Sequence, residues 1–298
     1  MLGVPSFVAA PMPATPCWSR YRSRIDRVHD YIRAHLDDAL DLNRLAEIAC
    51  LSPYHWHRIY QGMYGESVVM TVRRMRLARA SEDLVHSALP IGTVARRAGY
   101  GSPHAFTRAF RDAFGVPPAQ YRREGVQRTP YPSATGERQM TQHAVTFRRL
   151  EPIEVLSVEH IGPYPEIGRA FEVLSRWLGE RNLFGPDTRC IGIFYDDPDA
   201  TPAPQLRSKA CFALGAGPLA VEAAAPVERT VIAGGDYAVL VHRGPYQNLK
   251  DTYDWLYGTW LPNSGREAAD APSFELYLNS PENAKPVDLL TEIHLPLR

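Results

Sequence analysis

One carboxylate in the C-terminal half is placed where it could attract a charged ligand. In SFELYL (273–278), strand alternation puts Phe274, Leu276 and Leu278 on one face, with Glu275 and Tyr277 on the other. If that second face looks into a groove, a carboxylate stands among aromatic rings. It would attract a cationic, lipophilic molecule by charge, and the rings would add cation–π and apolar contact. The plainer alternative is that Glu275 points to solvent.

Other aromatic side chains could form the walls of such a groove. They lie in two segments at helical spacing and in the strands beside them. Aromatic residues at this spacing also fill cores, so we expect part of the set to serve packing alone. The candidates for ligand contact besides Glu275 are Tyr164, Tyr195, Tyr253, Trp255, Trp260 and Tyr277. Glu292, in LLTEIHLPL, is a second acidic candidate.

A duplicated unit would position these residues. HIGPY at 160–164 recurs as HRGPY at 242–246, and each copy ends a strand-like alternation and precedes a helical segment. Glycine permits a turn that a Cβ would obstruct, and proline fixes φ before a helix begins. Two pseudo-symmetric strand–helix–strand–strand units side by side would leave a groove along their pseudo-twofold axis, a natural place for a ligand. We therefore expect an α+β domain here.

The histidines of these corners, His160 and His242, could be metal ligands. No carboxylate or cysteine lies at ligand spacing with either, so we interpret both as structural. The four cysteines form no CxxC pair and no metal-ligand spacing with histidine, which fits a reducing compartment. The sequence thus predicts no metal and no cofactor.

A second repeat occupies the first half. Residues 42–67 and 91–117 align at an offset of 49 and, after one extra residue near Gly101, of 50. Each copy is predicted to be a short helix, a tight turn and a second helix that opens with Ser-Pro. Serine can accept from the free N–H groups of a first turn, and proline there has no N–H to leave without a partner. The outer faces carry side chains of the kind that contact base edges and phosphates.

The segment between the copies, 67–90, is predicted to be one long helix ending at Pro90. A helix of about 20 residues spans ~30 Å, and successive major grooves on one face of DNA lie ~34 Å apart. Arg73, Arg74 and Arg76 on or near this helix suit phosphate contacts, or they are simply solvated. Charge supports a division of labour, because residues 1–125 carry a net +6 and residues 126–298 a net −6.

RRMRLARA, followed by IGTVARRAGYGSPHAFTRAFRDAFGVPPAQYRR, resembles the double helix-turn-helix domain of AraC/XylS-family transcription regulators, over about residues 23–124. Cys50 departs from the family, which usually has glycine there, and a non-glycine residue at φ > 0 costs about 1 kcal/mol. Arg58 and Arg108 could equally clamp phosphate or pair with a carboxylate inside the fold. The resemblance implies DNA contacts by two recognition helices, through Tyr54, His57 and Arg58 of the first and His104, Thr107 and Arg108 of the second.

The repeated HxGPY, together with FELYLNSP and the closing TEIHLPL, resembles the GyrI-like effector-binding domain known from bacterial multidrug regulators, over about residues 141–298. The resemblance implies that ligands bind in the groove and that Glu275, at the FELY position, has a main role in binding. The first unit has YDDP where the second has YLNSP, so the two copies have diverged.

Four segments are thus predicted: a flexible N-terminal segment (1–22), an all-α double helix-turn-helix domain (23–125), a linker (126–140) and an effector-binding α+β domain (141–298). The favoured function is a one-component transcription regulator that binds double-stranded promoter DNA and a small lipophilic or cationic effector, and contacts RNA polymerase. No apolar run reaches the ~18 residues of a membrane span, and the N-terminus reads poorly as a signal peptide, so we expect a cytoplasmic protein.

Two alternatives stay open for the C-terminal half. It could be a hydrolase acting on an electrophilic small molecule, with Glu275 and Tyr253 or Tyr277 in general acid–base chemistry. Against this, the sequence has no nucleophile elbow, no Ser–His–Asp spacing and no metal cluster. It could instead bind another protein and no small ligand. We assign no catalytic residue.

Overall fold

The computed structural model describes residues 16–39, 41–125, 143–215 and 221–298. The expected linker, 126–140, lies outside the described residues. The first helix begins at Pro16, so the expectation of a flexible segment reaching residue 22 is wrong for residues 16–22. The reason is burial, since Tyr21 packs against apolar residues near the C-terminal end of the chain. The helices of the first half are α1 (Pro16–Ala34), α2 (Leu42–Ala49), α3 (Trp56–Tyr64), α4 (Val68–His86), α5 (Ile91–Arg97), α6 (Pro103–Phe114) and α7 (Pro118–Glu124).

Both predicted helix-turn-helix copies are present, each over its own apolar core, and α4 is the predicted connector. Cys50 has φ 51°, the left-handed conformation that its counterpart Gly99 adopts with φ 81°. Ser102 caps α6 by accepting from the Ala105 N–H at 3.2 Å. The first copy differs, because the Ser52 hydroxyl accepts from Tyr54 and donates to Asp270. A turn precedes α3 there, and the helix begins at Trp56.

Within residues 143–215 and 221–298, the second half adds eight strands and two main helices. The second of these helices, α9 (Leu249–Trp255), continues through a π-helical turn (Leu256–Trp260) into a short α10 (Leu261–Asn263). The other elements are β1 (Val145–Leu150), β2 (Ile153–Ile161), α8 (Gly168–Gly179), β3 (Arg189–Phe194), β4 (Arg207–Ala213), β5 (Glu228–Ile232), β6 (Gly235–Arg243), β7 (Ser273–Tyr277) and β8 (Leu290–Leu297).

All eight strands form one antiparallel sheet in the order β1-β6-β8-β7-β3-β4-β2-β5, with the pseudo-twofold axis between β7 and β3. Each unit begins with a strand that the sequence did not predict. These strands are exchanged, since β1 pairs with β6 of the second unit and β5 pairs with β2 of the first. They form the sheet edges and are largely exposed, with Phe147 on β1 58% exposed, so they lack a clear alternation of buried positions.

The two HxGPY corners are built alike. Gly162 and Gly244 have φ 140° and 135°, and each preceding histidine folds back beneath the turn. His160 Nε2 lies 3.1 Å from the Pro163 carbonyl oxygen, and His242 Nε2 lies 3.4 Å from that of Pro245. Each histidine therefore closes its own turn. Within the described ranges, no helix is long and apolar enough to cross a membrane, and no group of three or more His, Cys, Asp or Glu side chains could hold a metal ion.

Candidate ligand-binding groove

Glu275 lies on β7 directly opposite Gly192 of β3, at the pseudo-twofold axis of the sheet. Its side chain faces the helices and is 4% exposed, so the solvent-facing alternative is wrong. The Tyr253 hydroxyl donates to Glu275 Oε1 at 2.9 Å, and the Tyr277 hydroxyl donates to Oε2 at 2.9 Å. Each carboxylate oxygen thus accepts from a phenol, and the two phenols come from α9 and from β7 itself.

The protonation of Glu275 is balanced near neutrality. Burial raises its pKa to about 7, while the hydrogen bonds from Tyr253 and Tyr277 and the positive charge of Arg58 act in the opposite direction. Burial and the neighbouring carboxylate raise the pKa of both phenols well above the usual value. The phenols therefore stay protonated as donors, while Glu275 can gain or lose its proton as its surroundings change.

Rings make the floor of the groove, and one glycine makes room for them. A Cβ on Gly192 would lie 2.8 Å from both the Phe194 ring and the Tyr277 hydroxyl oxygen. The Tyr277 ring lies 5.5 Å from that of Tyr246 and 5.9 Å from that of Phe171, measured between centroids. Both helical sides of the groove therefore contribute an aromatic wall around Tyr277.

The guanidinium of Arg58, on α3, lies inside this aromatic site. Its central carbon is 4.5 Å from the centroid of the Tyr253 ring and 5.6 Å from that of Tyr257. Its Nη2 donates to the Asp196 carbonyl oxygen at 3.1 Å, and its Nη1 donates to Ser273 Oγ at 3.4 Å. These distances are within the range of cation–π contact and hydrogen bonding. A cation from the first half of the chain thus occupies the candidate site of the second half.

A second buried acid stands near this cation. Asp197 is 4% exposed, and its Oδ2 accepts no hydrogen bond among the described residues. Burial raises its pKa, and the charge of Arg58 partly offsets this. Two buried carboxyl groups, Glu275 and Asp197, therefore make the site attractive to a positive charge.

The rest of α3 is fixed to the C-terminal domain around Arg58. His55 is fully buried, and burial lowers its pKa to about 3, so the ring is neutral. Its Nε2 lies 2.7 Å from the Ala271 carbonyl oxygen and its Nδ1 lies 2.9 Å from the Tyr257 hydroxyl. Ile59 joins the apolar cluster of Leu256 and Tyr257. The contact between the two halves therefore combines a continuous core with specific polar bonds.

The predicted DNA-contacting residues are divided between two environments. Tyr54 lies with its ring 6.2 Å from Tyr195, and His57 is buried, which lowers its pKa to about 4. Tyr54, just before α3, and His57 and Arg58 of α3 therefore lie on the side that faces the C-terminal domain. On α6, His104 and Arg108 are exposed, and Thr107 is half-buried and donates to the Pro103 carbonyl oxygen at 2.8 Å.

The arginines of α4 have partners within the helical domain. Arg73 donates to the Tyr100 hydroxyl at 3.1 Å, and Arg74 pairs with Glu66 at 2.7 Å. Arg76 donates to the carbonyl oxygens of Leu36 and Asp38 at 2.8 and 2.6 Å. Arg76 therefore holds the segment after α1 against α4, whatever else it contacts.

The predicted ligand-binding residues are also divided. Tyr253 and Tyr277 reach Glu275, and Tyr164 is joined to the site through its hydrogen bonds with the backbone of Asp196. The expectation that Tyr195, Trp255 and Trp260 lie beside Glu275 does not hold. Tyr195 follows Phe194, so strand alternation places it on the opposite face of the sheet.

The two tryptophans lie on the far side of their helix. Trp255 comes two positions after Tyr253 and contacts His143, and Trp260 contacts Phe147. Glu292 is also away from Glu275. It pairs with Leu276, on the opposite face, and receives two bonds from Arg148, at 2.7 and 2.8 Å.

Sequence reasoning missed the place of Arg58 and the roles of Tyr257, Asp197 and Ser273. A usable signal was Gly62, because glycine inside a helix costs roughly 1 kcal/mol relative to alanine and marks a close approach. That approach is to Gly258, and no sequence pattern pairs these two glycines across almost 200 positions.

Comparison with known proteins supports the division of the chain into a helix-turn-helix part and a C-terminal domain. Residues 143–298 match the family model of the GyrI-like small molecule binding domain, and residues 45–124 match a helix-turn-helix domain model. The chain is 25% identical over 294 residues to the transcriptional regulator Rob of Salmonella typhimurium, covering 90% of this chain and 96% of that protein. It is 25% identical over 284 residues to the right origin-binding protein of Escherichia coli K12, with the same coverage of 90% and 96%. The E. coli DNA gyrase inhibitor is 30% identical over 121 residues, which is 40% of this chain and 76% of that protein.

Proposed function

Because this chain belongs to the GyrI-like small-molecule-binding family and carries a helix-turn-helix region, we propose that it is a one-component transcription regulator. Its first half binds double-stranded promoter DNA, and the groove around Glu275 binds a small cationic, lipophilic effector. The observation that carries the ligand assignment is a buried carboxyl group held by two phenols, with a guanidinium already against one of their rings.

The electrostatics of the groove favour a cation over a neutral ligand. With a pKa of about 7, Glu275 can lose its proton when a positive charge arrives beside it. The rings of Tyr253, Tyr246 and Tyr277 supply both apolar contact and a negative π-face. Binding therefore pairs a buried charge instead of leaving it alone.

The DNA assignment is supported by charge, by α6 and by the relatives. The first 125 residues carry a net +6, and α6 presents exposed His104 and Arg108. The names of two relatives describe a transcriptional regulator and an origin-binding protein. Contact with RNA polymerase and a cytoplasmic location follow from this role.

Thermal unfolding of the full chain with and without ligands tests the groove. A ligand at 100 times its dissociation constant should add about 2.7 kcal/mol of stability. We expect lipophilic cations to stabilise the wild type, Glu275→Gln to lose that effect, and Glu172→Gln, on the exposed face of α8, to keep it. Stabilisation that is equal in all three proteins would remove Glu275 from ligand binding. If the full chain selects no promoter fragment at moderate salt, the proposed function as a transcription regulator is wrong.

One observation also favours the hydrolase alternative, since a carboxyl group with a pKa of about 7 beside two phenols is suited to general acid–base chemistry. Turnover of an electrophilic substrate that disappears in Glu275→Gln would establish that function. Ligand binding without turnover would support the sensor instead.

A further inference from the structure

We propose that Arg58 is an internal ligand of the groove, and that the effector is a planar cation that takes its place and thereby frees α3. The inference rests on the proposed function of the groove and adds the class of the effector and its means of regulation. Four groups define the position of the guanidinium: the rings of Tyr253 and Tyr257, the Asp196 carbonyl oxygen and the Ser273 hydroxyl.

The contacts of Arg58 describe the ligand that would replace it. A guanidinium carbon 4.5 Å from a ring centroid, with nitrogens donating at 3.1 and 3.4 Å, fits a planar cation with N–H groups along its edge. A guanidine or an amidine with an apolar substituent meets the same groups. A neutral isostere would fill the space but would leave Glu275 and Asp197 without a nearby positive charge.

Occupancy of the groove by Arg58 and contact of α3 with DNA exclude each other. Tyr54, which precedes α3, and His57 and Arg58 of α3 lie on the side that faces the C-terminal domain. His104 and Arg108 of α6 remain exposed. In this arrangement, the protein can approach DNA with its second recognition helix but not with its first.

The remaining contacts of α3 couple the groove to DNA binding. Ser52 donates to Asp270 at 3.0 Å, His55 bonds the Ala271 carbonyl oxygen, and Gly62 lies against Gly258. An effector that displaces Arg58 removes the contacts of this side chain and so weakens the attachment of α3 to the C-terminal domain. Since coupling is reciprocal, loosening α3 by other means must raise the affinity for the effector.

Gly258→Ala loosens α3 without altering a residue that contacts Arg58. A Cβ at Gly258 would lie 2.3 Å from Gly62 Cα, so α3 and the π-helical turn cannot keep their present separation. The matched control is Gly168→Ala, at the start of α8, where a Cβ would have nothing within 4 Å among the described residues. Gly62→Ala is the second variant, because it blocks the same contact from α3 and replaces a poor helix former with a good one.

Calorimetric titration of the full-length proteins with phenylguanidine, and with neutral phenylurea as the matched probe, measures the competition. We expect Gly258→Ala and Gly62→Ala to bind phenylguanidine at least tenfold more tightly than wild type, and Gly168→Ala to match wild type. Phenylurea should show no such gain. Saturating phenylguanidine should also accelerate amide exchange across α3 and residues 256–260 of the wild type.

Two results would overturn the inference, and only one of them would also overturn the proposed function of the groove. Equal phenylguanidine affinity in wild type and both loosened variants would show that Arg58 does not compete, while the groove keeps its proposed function. No binding by any of the four proteins to phenylguanidine or to other lipophilic cations would remove the effector function together with the inference.

Discussion

Gly62 of α3 and Gly258 of the π-helical turn bring the two halves of the chain into backbone contact, because a Cβ on Gly62 would lie 2.2 Å from Gly258 Cα. The π-turn from Leu256 to Trp260 places Tyr257 beside Arg58, next to this crossing. Such turns are rare and are frequent at functional sites. A close helix crossing and the candidate ligand-binding site therefore share one short segment.

Because of the apolar core at this crossing, the free energy of unfolding of each domain should depend on its contact with the other. Ile59→Ala removes a fully buried side chain that packs in one cluster with Leu256 and Leu261. We expect a loss of about 2–5 kcal/mol in the free energy of unfolding, measured by urea denaturation. Val69→Ala, at a residue 40% exposed on α4, should change stability far less.

A double-mutant cycle between Ile59→Ala and Leu256→Ala tests whether the core is continuous. We expect an interaction energy of roughly 0.5–3 kcal/mol, because residues in contact do not add independently. Additive losses would mean that the two side chains do not pack together in solution.

The raised pKa of Glu275 should make stability depend on pH. A carboxyl group whose folded pKa of about 7 exceeds its unfolded value of 4.5 binds its proton more tightly in the folded state. Rising pH therefore destabilises the fold between these two values, by about 3 kcal/mol in total. Urea unfolding from pH 5 to 8 should show this decline in the wild type and a flatter profile in Glu275→Gln. Glu172→Gln should follow the wild type. If Glu275→Gln declines as steeply, another group causes the decline and Glu275 does not titrate in this pH range.

The same titration predicts the pH dependence of cation binding. A cation pairs with the ionised form of Glu275, so its affinity should fall as pH drops below about 7, approaching tenfold per pH unit. A neutral ligand of the same shape should show no such trend. Calorimetry of phenylguanidine from pH 5.5 to 8 measures the slope, and a flat profile would show that the ligand does not draw on the ionised carboxylate.

The sequence predicted those features that depend only on residues close together in the chain. The presence of a tight turn at Cys50, the cap at Ser102 and the HxGPY corners all follow from residues within a few positions of each other. Alternation along β7 placed Glu275 and Tyr277 on one face, and in the structure that face carries the hydrogen bonds to Glu275.

Long-range relationships were beyond such patterns. The exchange of β1 and β5 between units depends on pairing across some 80 positions, and their exposed residues leave no periodic record. The two aromatic sets were confused because composition does not distinguish the side of α9 bearing Tyr253 from that bearing Trp255. The sequence was compatible with two roles for Arg58, DNA contact and pairing inside the fold. Its position in the groove depends on the packing of α3 against another domain, which no local pattern predicts.

The salt dependence of DNA binding should distinguish the two recognition helices. Each phosphate contact adds about 0.9 to the slope of log K against log salt on double-stranded DNA. With α3 docked and α6 exposed, Arg108→Ala should reduce the slope for non-specific DNA by up to about 1, and Arg58→Ala should leave it unchanged. Arg176→Ala, exposed on α8 of the C-terminal domain, is the control for total charge. Fluorescence anisotropy between 50 and 200 mM salt gives the slopes. A loss in Arg58→Ala equal to that in Arg108→Ala would show that Arg58 leaves the groove for DNA without any effector.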